Sequence, residues 1–267
     1  MPPPLEAAAG GDRDRALRFL RWVDEARAER VVRVRDGLAV AVFADSLPLV
    51  HDQNKAMAAI GLAPADLPRL VSAVEDVQGA AGLRHRKIAF DDEPDCAAFA
   101  DWFAQRGWRH RPLRLMTHRG PAPPARAVGP AVEVDSAALI PAAYAFAAEE
   151  PWGRSLEARR QVVAGDSLTK MVVDERGFGV HAPSGDLVAY CRLYSRERVG
   201  QIENVTTLAA HRRHGYSRAL LSLALRQSLQ ANDLTFLVAE GADWPRHFYA
   251  RMGFVDVGGF CEFNRLG

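Results

Sequence analysis

Cysteine is scarce in this 267-residue chain: Cys96, Cys191 and Cys261 are widely spaced and odd in number. That pattern excludes a disulfide-stapled miniature fold and a cysteine metal cluster, and it predicts reduced, buried thiols. An excess of one charge is lacking too. The 34 basic and 33 acidic residues leave a formal charge of +1 at pH 7, so no bulk field draws the protein to nucleic acid or to an anionic membrane. The opening Met1-Pro-Pro-Pro-Leu-Glu-Ala-Ala-Ala-Gly-Gly11 has neither the basic start nor the apolar core of a signal peptide, and no later stretch is long and uncharged enough to span a bilayer. A cytoplasmic protein with neither nucleic acid nor membrane as partner is the expectation. The eight histidines show no metal-ligand spacing, and His211 and His214 are constrained by the loop they flank, so no metal is expected.

What is present reads as a globular protein. The apolar fraction of 48% is ordinary, and 267 residues exceed the usual size of one compact domain, so two domains are the default. Breaker-rich segments mark the divisions. They give a disordered tail at 1–12, a first domain at 13–120, a linker at 121–130 and a second domain at 131–267. In the first domain the periodicity predicts a helix from Asp14 to Arg30. A hairpin of Val31 to Arg35 and Leu38 to Phe43 turns at Asp36-Gly37. Helical patterns follow at Asn54 to Ile60 and Ala65 to Val77, then a strand at Arg86 to Phe90, a helix at Cys96 to Gln105 and a strand at Leu113 to His118.

The second domain repeats the plan. A strand at Val132 to Asp135 precedes helices at Ala137 to Ala148 and Leu156 to Ala164, and strands are expected at Lys170 to Asp174, Gly177 to His181, Leu187 to Tyr194 and Ile202 to Thr207. The period then changes. Leu220, Leu221, Leu225 and Leu229 form a helical stripe, ahead of a strand at Thr235 to Ala239, a helix at Pro245 to Met252 and a strand at Val255 to Phe263. The fold class is therefore α/β, with a mixed and mostly antiparallel sheet flanked by helices, and two such domains in tandem. Both halves close an aromatic helix with glycine and an aromatic residue, at Gly107-Trp108 and at Gly253-Phe254, which points to a duplicated fold.

The chemistry concentrates in Thr207-Leu-Ala-Ala-His-Arg212-Arg213-His214-Gly215-Tyr216-Ser217-Arg218. A strand ends there, a basic loop of small residues turns, and a long apolar helix begins. Unpaired amides at a helix N-terminus carry partial positive charge, so this is an anion cradle, reinforced by Arg212, Arg213 and Arg218. Gly215 removes a Cβ from the approach, and Ser217 keeps the contact small.

The stretch resembles the pyrophosphate loop of the GNAT N-acetyltransferases: arginine or glutamine, two residues, glycine, one residue, then glycine or alanine. Here the pattern reads Arg212-x-x-Gly215-x-Ser217, with serine as a small departure in the last place. Phe248-Tyr249 and Gly253-Phe254 follow at the expected distance. The resemblance implies acetyl-CoA as co-substrate, with its pantetheine arm between strands 202–207 and 235–239. The arm would pair with the backbone of Val205, Thr206 and Thr207, and the diphosphate would rest on residues 212 to 218.

An amine attacking the thioester needs a base, an oxyanion donor and an acid for the departing thiolate. Glu203 is the candidate base, read by alternation as sharing a strand face with Val205 and Thr207; the other reading is a structural carboxylate paired with Arg192 or Lys170. Tyr249 resembles the family's thiolate-protonating tyrosine; its other reading is aromatic packing. The family's asparagine before that helix is missing from Gly241-Ala-Asp243-Trp244-Pro245, where Asp243 is expected to cap the helix and Trp244 either to line the cofactor groove or to cover the sheet. Glu149-Glu150-Pro-Trp152 offers either a cation-attracting acceptor contact or a solvated helix end.

No such loop occurs between residues 31 and 118, which makes the first half a degenerate GNAT-like domain. Pro48 to Asn54 is polar enough to face a ligand; its other reading is an ordinary surface loop. Two functions stay open. One is an acetyl-CoA-dependent N-acetyltransferase acting on a primary amine of a small molecule or peptide. The other is a non-catalytic acetyl-CoA-binding or interaction module. Oligomeric state is not legible.

Overall fold

The structure is a computed structural model that describes residues 10–124, 127, 129–241 and 245–266. Most of the expected 1–12 tail, part of the expected linker, and Asp243 and Trp244 lie outside the described residues. In chain order the elements are α1 (Asp12–Ala26), β1 (Arg30–Val34), β2 (Ala39–Phe43), β3 (Lys55–Ala58), α2 (Leu67–Ala80), β4 (His85–Phe90), α3 (Glu93–Ala104) and β5 (Arg109–His118). Then come β6 (Val132–Val134), α4 (Leu139–Glu149), α5 (Leu156–Lys170), β7 (Asp174–His181), β8 (Leu187–Arg196), β9 (Val199–Thr207), α6 (Tyr216–Ala231), β10 (Leu234–Glu240), α7 (Pro245–Arg251) and β11 (Phe254–Leu266). The sheets are mixed and mostly antiparallel, and helices flank them.

Two compact units result, one of residues 1–116, 238–251 and 256–267, the other of residues 117–237 and 252–255. The sequence assigns all of 131–267 to one domain, whereas the chain's last strand returns to the first unit. The reason is strand pairing: β11 runs antiparallel to β4 with Cys261 opposite Phe90 and Phe263 opposite Ile88. A pattern of alternating residues fixes a strand but not its partner.

In the first unit, α1 presents Ala16, Phe19, Trp22 and Val23 to the interior. The β1–β2 hairpin turns on Asp36 at φ 53° and Gly37 at φ 75°, the left-handed pair that matches the twist of an antiparallel ribbon. The segment expected as a helix at Asn54 to Ile60 is instead β3, antiparallel to β2 and parallel to β4. Lysine, alanine and methionine are good helix formers, but sheet neighbours on both sides override four residues of propensity. The core is aromatic: Phe103 stacks on Phe263 at 4.0 Å, and Phe90 meets Phe99, Phe103 and Phe263 edge-on.

The expectation of reduced thiols fails for two of the three cysteines. Cys96 on α3 and Cys261 on β11 form a disulfide, 165 residues apart in sequence and 5.8 Å apart between Cα atoms, while Cys191 is free and buried. Only the return of β11 brings the two together. Across the other face of the same sheet runs an ion network. Buried Lys87 pairs with Glu262 at 2.7 Å and with Asp52, and Arg111 reaches Glu262 at 2.9 Å and also pairs with Glu240.

The second unit is an antiparallel run β6-β7-β8-β9 with β10 parallel to β9. The two strands expected at 170–174 and 177–181 are one, because α5 continues through Lys170 and β7 starts only at Asp174. Helix α6 buries Ala219, Leu220, Leu221, Ala224 and Leu225. Its approach depends on Gly200, where a Cβ would lie 2.4 Å from Ser228 Oγ and 2.7 Å from Asn232 Nδ2. On the other face, α4 and α5 pack Leu139, Ala142, Ala143 and Val163 around Tyr190. Gly177 admits Leu139 there, since a Cβ would come within 2.8 Å of its Cδ1.

Candidate functional site

Strand β9 starts as a regular partner of β8 and then breaks step. Arg192 lies opposite Glu203, but Tyr190 lies opposite Thr206, so Asn204 and Val205 together face the single residue Cys191. This is a β-bulge with Asn204 in the left-handed region at φ 55°. The sequence reading missed it. An asparagine within a run of β-formers was the available signal, because asparagine tolerates positive φ better than other non-glycine residues.

The bulge corrects the assignment of faces. One extra residue reverses the alternation, so Glu203 shares a face with Thr206, Arg192 and Tyr190 rather than with Thr207. That is the face under α4 and α5. Thr207 turns to the α6 side, where its Oγ1 lies 3.0 Å from Ser217 Oγ. The ladder between β9 and β10 ends early, at Gln201 opposite Phe236. Residues 202 to 207 of β9 therefore offer backbone groups on that edge beyond the end of its pairing with β10.

Directly after β9, a one-turn 3-10 helix at Ala209–His211 leads into the basic loop. Arg213 at φ 67° and Gly215 at φ 79° turn the chain into α6, whose first turn carries no acidic residue and no side-chain cap. The first turn of α6 therefore places neither a carboxylate nor a capping side chain over its amides. A Cβ on Gly215 would meet nothing within 4 Å. Glycine is required there by the left-handed backbone, and the space before the amides is open.

Arg212, Arg213, His214 and Arg218 are exposed, and His214 stacks on Tyr216 with ring centroids 5.6 Å apart. Arg212 Nε donates to Thr207 O at 3.1 Å, tying the guanidinium to the end of the strand. Glu149, expected to face an acceptor or solvent, does neither alone. Its carboxylate accepts the Ala209 amide at 3.0 Å and sits 3.7 Å from Arg212, so the end of α4 braces the loop.

Around Glu203 the polar side chains interlock. Gln201 Nε2 donates to Glu203 at 2.6 Å, and Arg192 pairs with Asp166 at 2.9 Å and with Glu175 at 3.0 Å. Burial opposes the charge on Arg192, yet the neighbouring carboxylates and phenols, Asp166 foremost, hold its pKa above the ordinary value. Burial first, then Asp166, pushes the Tyr194 phenol well above its usual value, so it is a neutral hydrogen-bond donor. Tyr249 lies half-buried on α7, with the Phe248 ring 5.4 Å away, and belongs to the other compact unit. No single unit brings it together with Glu203. Among the described residues no group of three or more His, Cys, Asp or Glu is placed to hold a metal ion, and no helix is long and apolar enough to cross a membrane.

The model of the acetyltransferase (GNAT) family matches residues 142–254, the segment that contains the bulged strand, the basic loop and α6. The chain carries a GNAT domain. Acetyl transfer is the activity class of that family. No curated protein matches the chain. Among solved structures, a GCN5-related N-acetyltransferase from Kribbella flavida is similar at 20% identity, covering 97% of each chain with a TM-score of 0.63. A functionally unknown conserved protein from Staphylococcus epidermidis is similar at 14% identity, with 87% of this chain and 92% of that one covered and a TM-score of 0.68. A tandem GNAT protein from the clavulanic acid biosynthesis pathway is similar at 14% identity over 85% of this chain and 78% of its own, with a TM-score of 0.51. At these identities the likeness shows the fold, and it extends well beyond the GNAT domain's 142–254.

Proposed function

We propose that the protein is an acetyl-CoA-dependent N-acetyltransferase that acetylates a primary amine of a small molecule or peptide. The observation that carries this is the junction of β9 and α6, where a bulged edge runs past the end of its ladder straight into an acid-free helix N-terminus. Such a junction supplies both ligand types that a coenzyme A thioester needs: extended backbone for an amide-bearing arm, and free amides with arginines for a diphosphate.

When bound, acetyl-CoA supplies an activated acetyl group. On this reading the backbone of Val205, Thr206 and Thr207 orients the pantetheine arm, and an amide of the bulge donates to the thioester oxygen. Arg212, Arg213, His214, Gly215, Tyr216, Ser217 and Arg218 form the diphosphate seat. Glu203, hydrogen-bonded by Gln201, would take a proton from the substrate ammonium through water, leaving a neutral amine whose lone pair can attack. Tyr249 would supply the phenolic proton for the sulfur that departs as the C–S bond breaks. The segment 142–254, which carries these residues in sequence, is proposed as the catalytic part of 131–267, and the domain within 13–120, which has no equivalent loop, as a degenerate GNAT-like partner.

The test is calorimetric titration with acetyl-CoA beside an Arg212→Glu, Gly215→Glu double variant, followed by thiol release over an amine panel. One-to-one binding lost in the variant, with thiol release that falls in Tyr249→Phe, is expected. Binding without turnover for any amine would instead identify a non-catalytic acetyl-CoA module. No binding by the wild type would overturn the proposal.

A further inference from the structure

The face of the sheet that Glu203 shares carries more negative than positive charge. Across the rows of the sheet, Glu175 lies opposite Tyr194, Tyr194 opposite Gln201, and Arg192 opposite Glu203. Asp166 reaches the same place from α5 through its 2.9 Å pair with Arg192. Three carboxylates, Asp166, Glu175 and Glu203, thus surround one guanidinium. Arg192 is engaged by the two inner ones, with its side chain 3% exposed, so it has little charge left for a ligand. One of these carboxylates, Glu175, keeps an oxygen to spare. The Glu175 side chain is 1% exposed, and its Oε1 is buried with no hydrogen-bond partner while its Oε2 holds Arg192. An acceptor oxygen buried without a donor costs about 1–3 kcal/mol, which a donor on a ligand or a water brought with it would recover. Asp166 keeps 24% of its side chain open, so the negative face is reachable.

The neutral state of the tyrosines fits this picture. Tyr190 and Tyr194 are both buried, and both phenols are held above their ordinary pKa, by burial first and by Asp166 next. Both rings are packed into the interior of that face, so they add apolar surface and no charge beside the carboxylates.

We propose that the amine acceptor is a linear diamine or longer polyamine, whose second ammonium is held by Asp166, with Glu203 serving the nitrogen that is acylated. This rests on the reading of β9 as the acyl-transfer edge. One nitrogen loses a proton and its lone pair forms the C–N bond while the thioester C–S bond breaks and coenzyme A leaves as the thiol; the other nitrogen keeps its charge throughout. A zwitterionic amino acid is disfavoured, because its carboxylate would meet three like charges with Arg192 already paired.

The experiment measures direct binding to the full chain, with and without acetyl-CoA, of three probes of one length: 1,4-diaminobutane, 1-aminobutane and 4-aminobutanoate. The diamine is expected to bind about tenfold or more tighter than the monoamine, and the zwitterion weakest. The diamine's advantage is expected to shrink as salt is raised. In Asp166→Asn the advantage disappears, and in Asp166→Glu most of it returns. Equal affinity for diamine and monoamine, preference for 4-aminobutanoate, or an advantage that ignores both salt and Asp166→Asn would overturn the proposal. The salt titration uses the wild type, so it decides even where Asp166→Asn folds poorly. Because diamine binding is read on the protein alone, a failure to bind acetyl-CoA would refute the proposed activity separately.

Discussion

Gly215 is the position where backbone geometry and proposed function are most easily separated. It opens α6 at φ 79° and ψ 6°, a left-handed conformation, and a Cβ built on it touches nothing within 4 Å. Replacing it with alanine therefore brings no steric clash, and its cost is the left-handed backbone alone, about 1–2 kcal/mol. Asparagine, which tolerates this region, costs less, and β-branched valine costs more. In thermal unfolding the alanine variant is expected to melt about 2–8 °C below the wild type, with asparagine between them. Acetyl-CoA affinity is expected to follow a different order. If the diphosphate rests against the first amides of α6, the asparagine side chain occupies that open space, so Gly215→Asn loses roughly tenfold or more in affinity while remaining the more stable variant. Calorimetry beside the melts reads both quantities. Wild-type affinity in Gly215→Asn would refute the placement of the diphosphate. An alanine variant as stable as the wild type would refute the left-handed start of the helix.

Three further outcomes follow from the first unit. Lys87→Met leaves buried Glu262, 5% exposed, with only Arg111 and should destabilise that unit by about 3 kcal/mol, much of which a second change, Glu262→Gln, returns; urea titration of single and double variants checks this. Burial, the largest cause, holds His85 down to about 4, with its Nε2 2.9 Å from Asn54 O. The unfolded chain then takes up the proton first, so stability is full above about pH 6.5 and falls by up to about 3 kcal/mol on going down to pH 4. His85→Gln should flatten that part of the pH profile of the melting temperature, and an unchanged profile would contradict it. Reduction of the Cys96–Cys261 bridge, which closes 165 residues of chain, should lower the stability of the oxidised protein by up to about 5 kcal/mol on the chain-entropy account, as melts with and without reductant would show. Identical melts would mean that the bridge does not restrain the unfolded chain.

The sequence by itself determined the elements that rest on local physics. The Asp36-Gly37 hairpin, the helical stripe at Leu220, Leu221 and Leu225, and the strand-loop-helix passage from Thr207 to Ser217 each carry their cause within a dozen residues. Turn chemistry, helical period and the need for glycine at positive φ are properties of neighbours along the chain. Tertiary structure decided what depends on pairing between distant segments. It made Lys55–Ala58 a strand against its helix-forming composition and sent β11 back to pair with β4. It thereby joined Cys96 to Cys261, and it put one extra residue into β9, turning Glu203 to the α4 and α5 side. A strand's alternation is blind to which partner it will meet and to a one-residue slip in register, and a slip of one residue exchanges the two faces of a sheet. The loop that would hold an anion was therefore legible from sequence, while the face that Glu203 shares with Asp166, Glu175 and Arg192 was not.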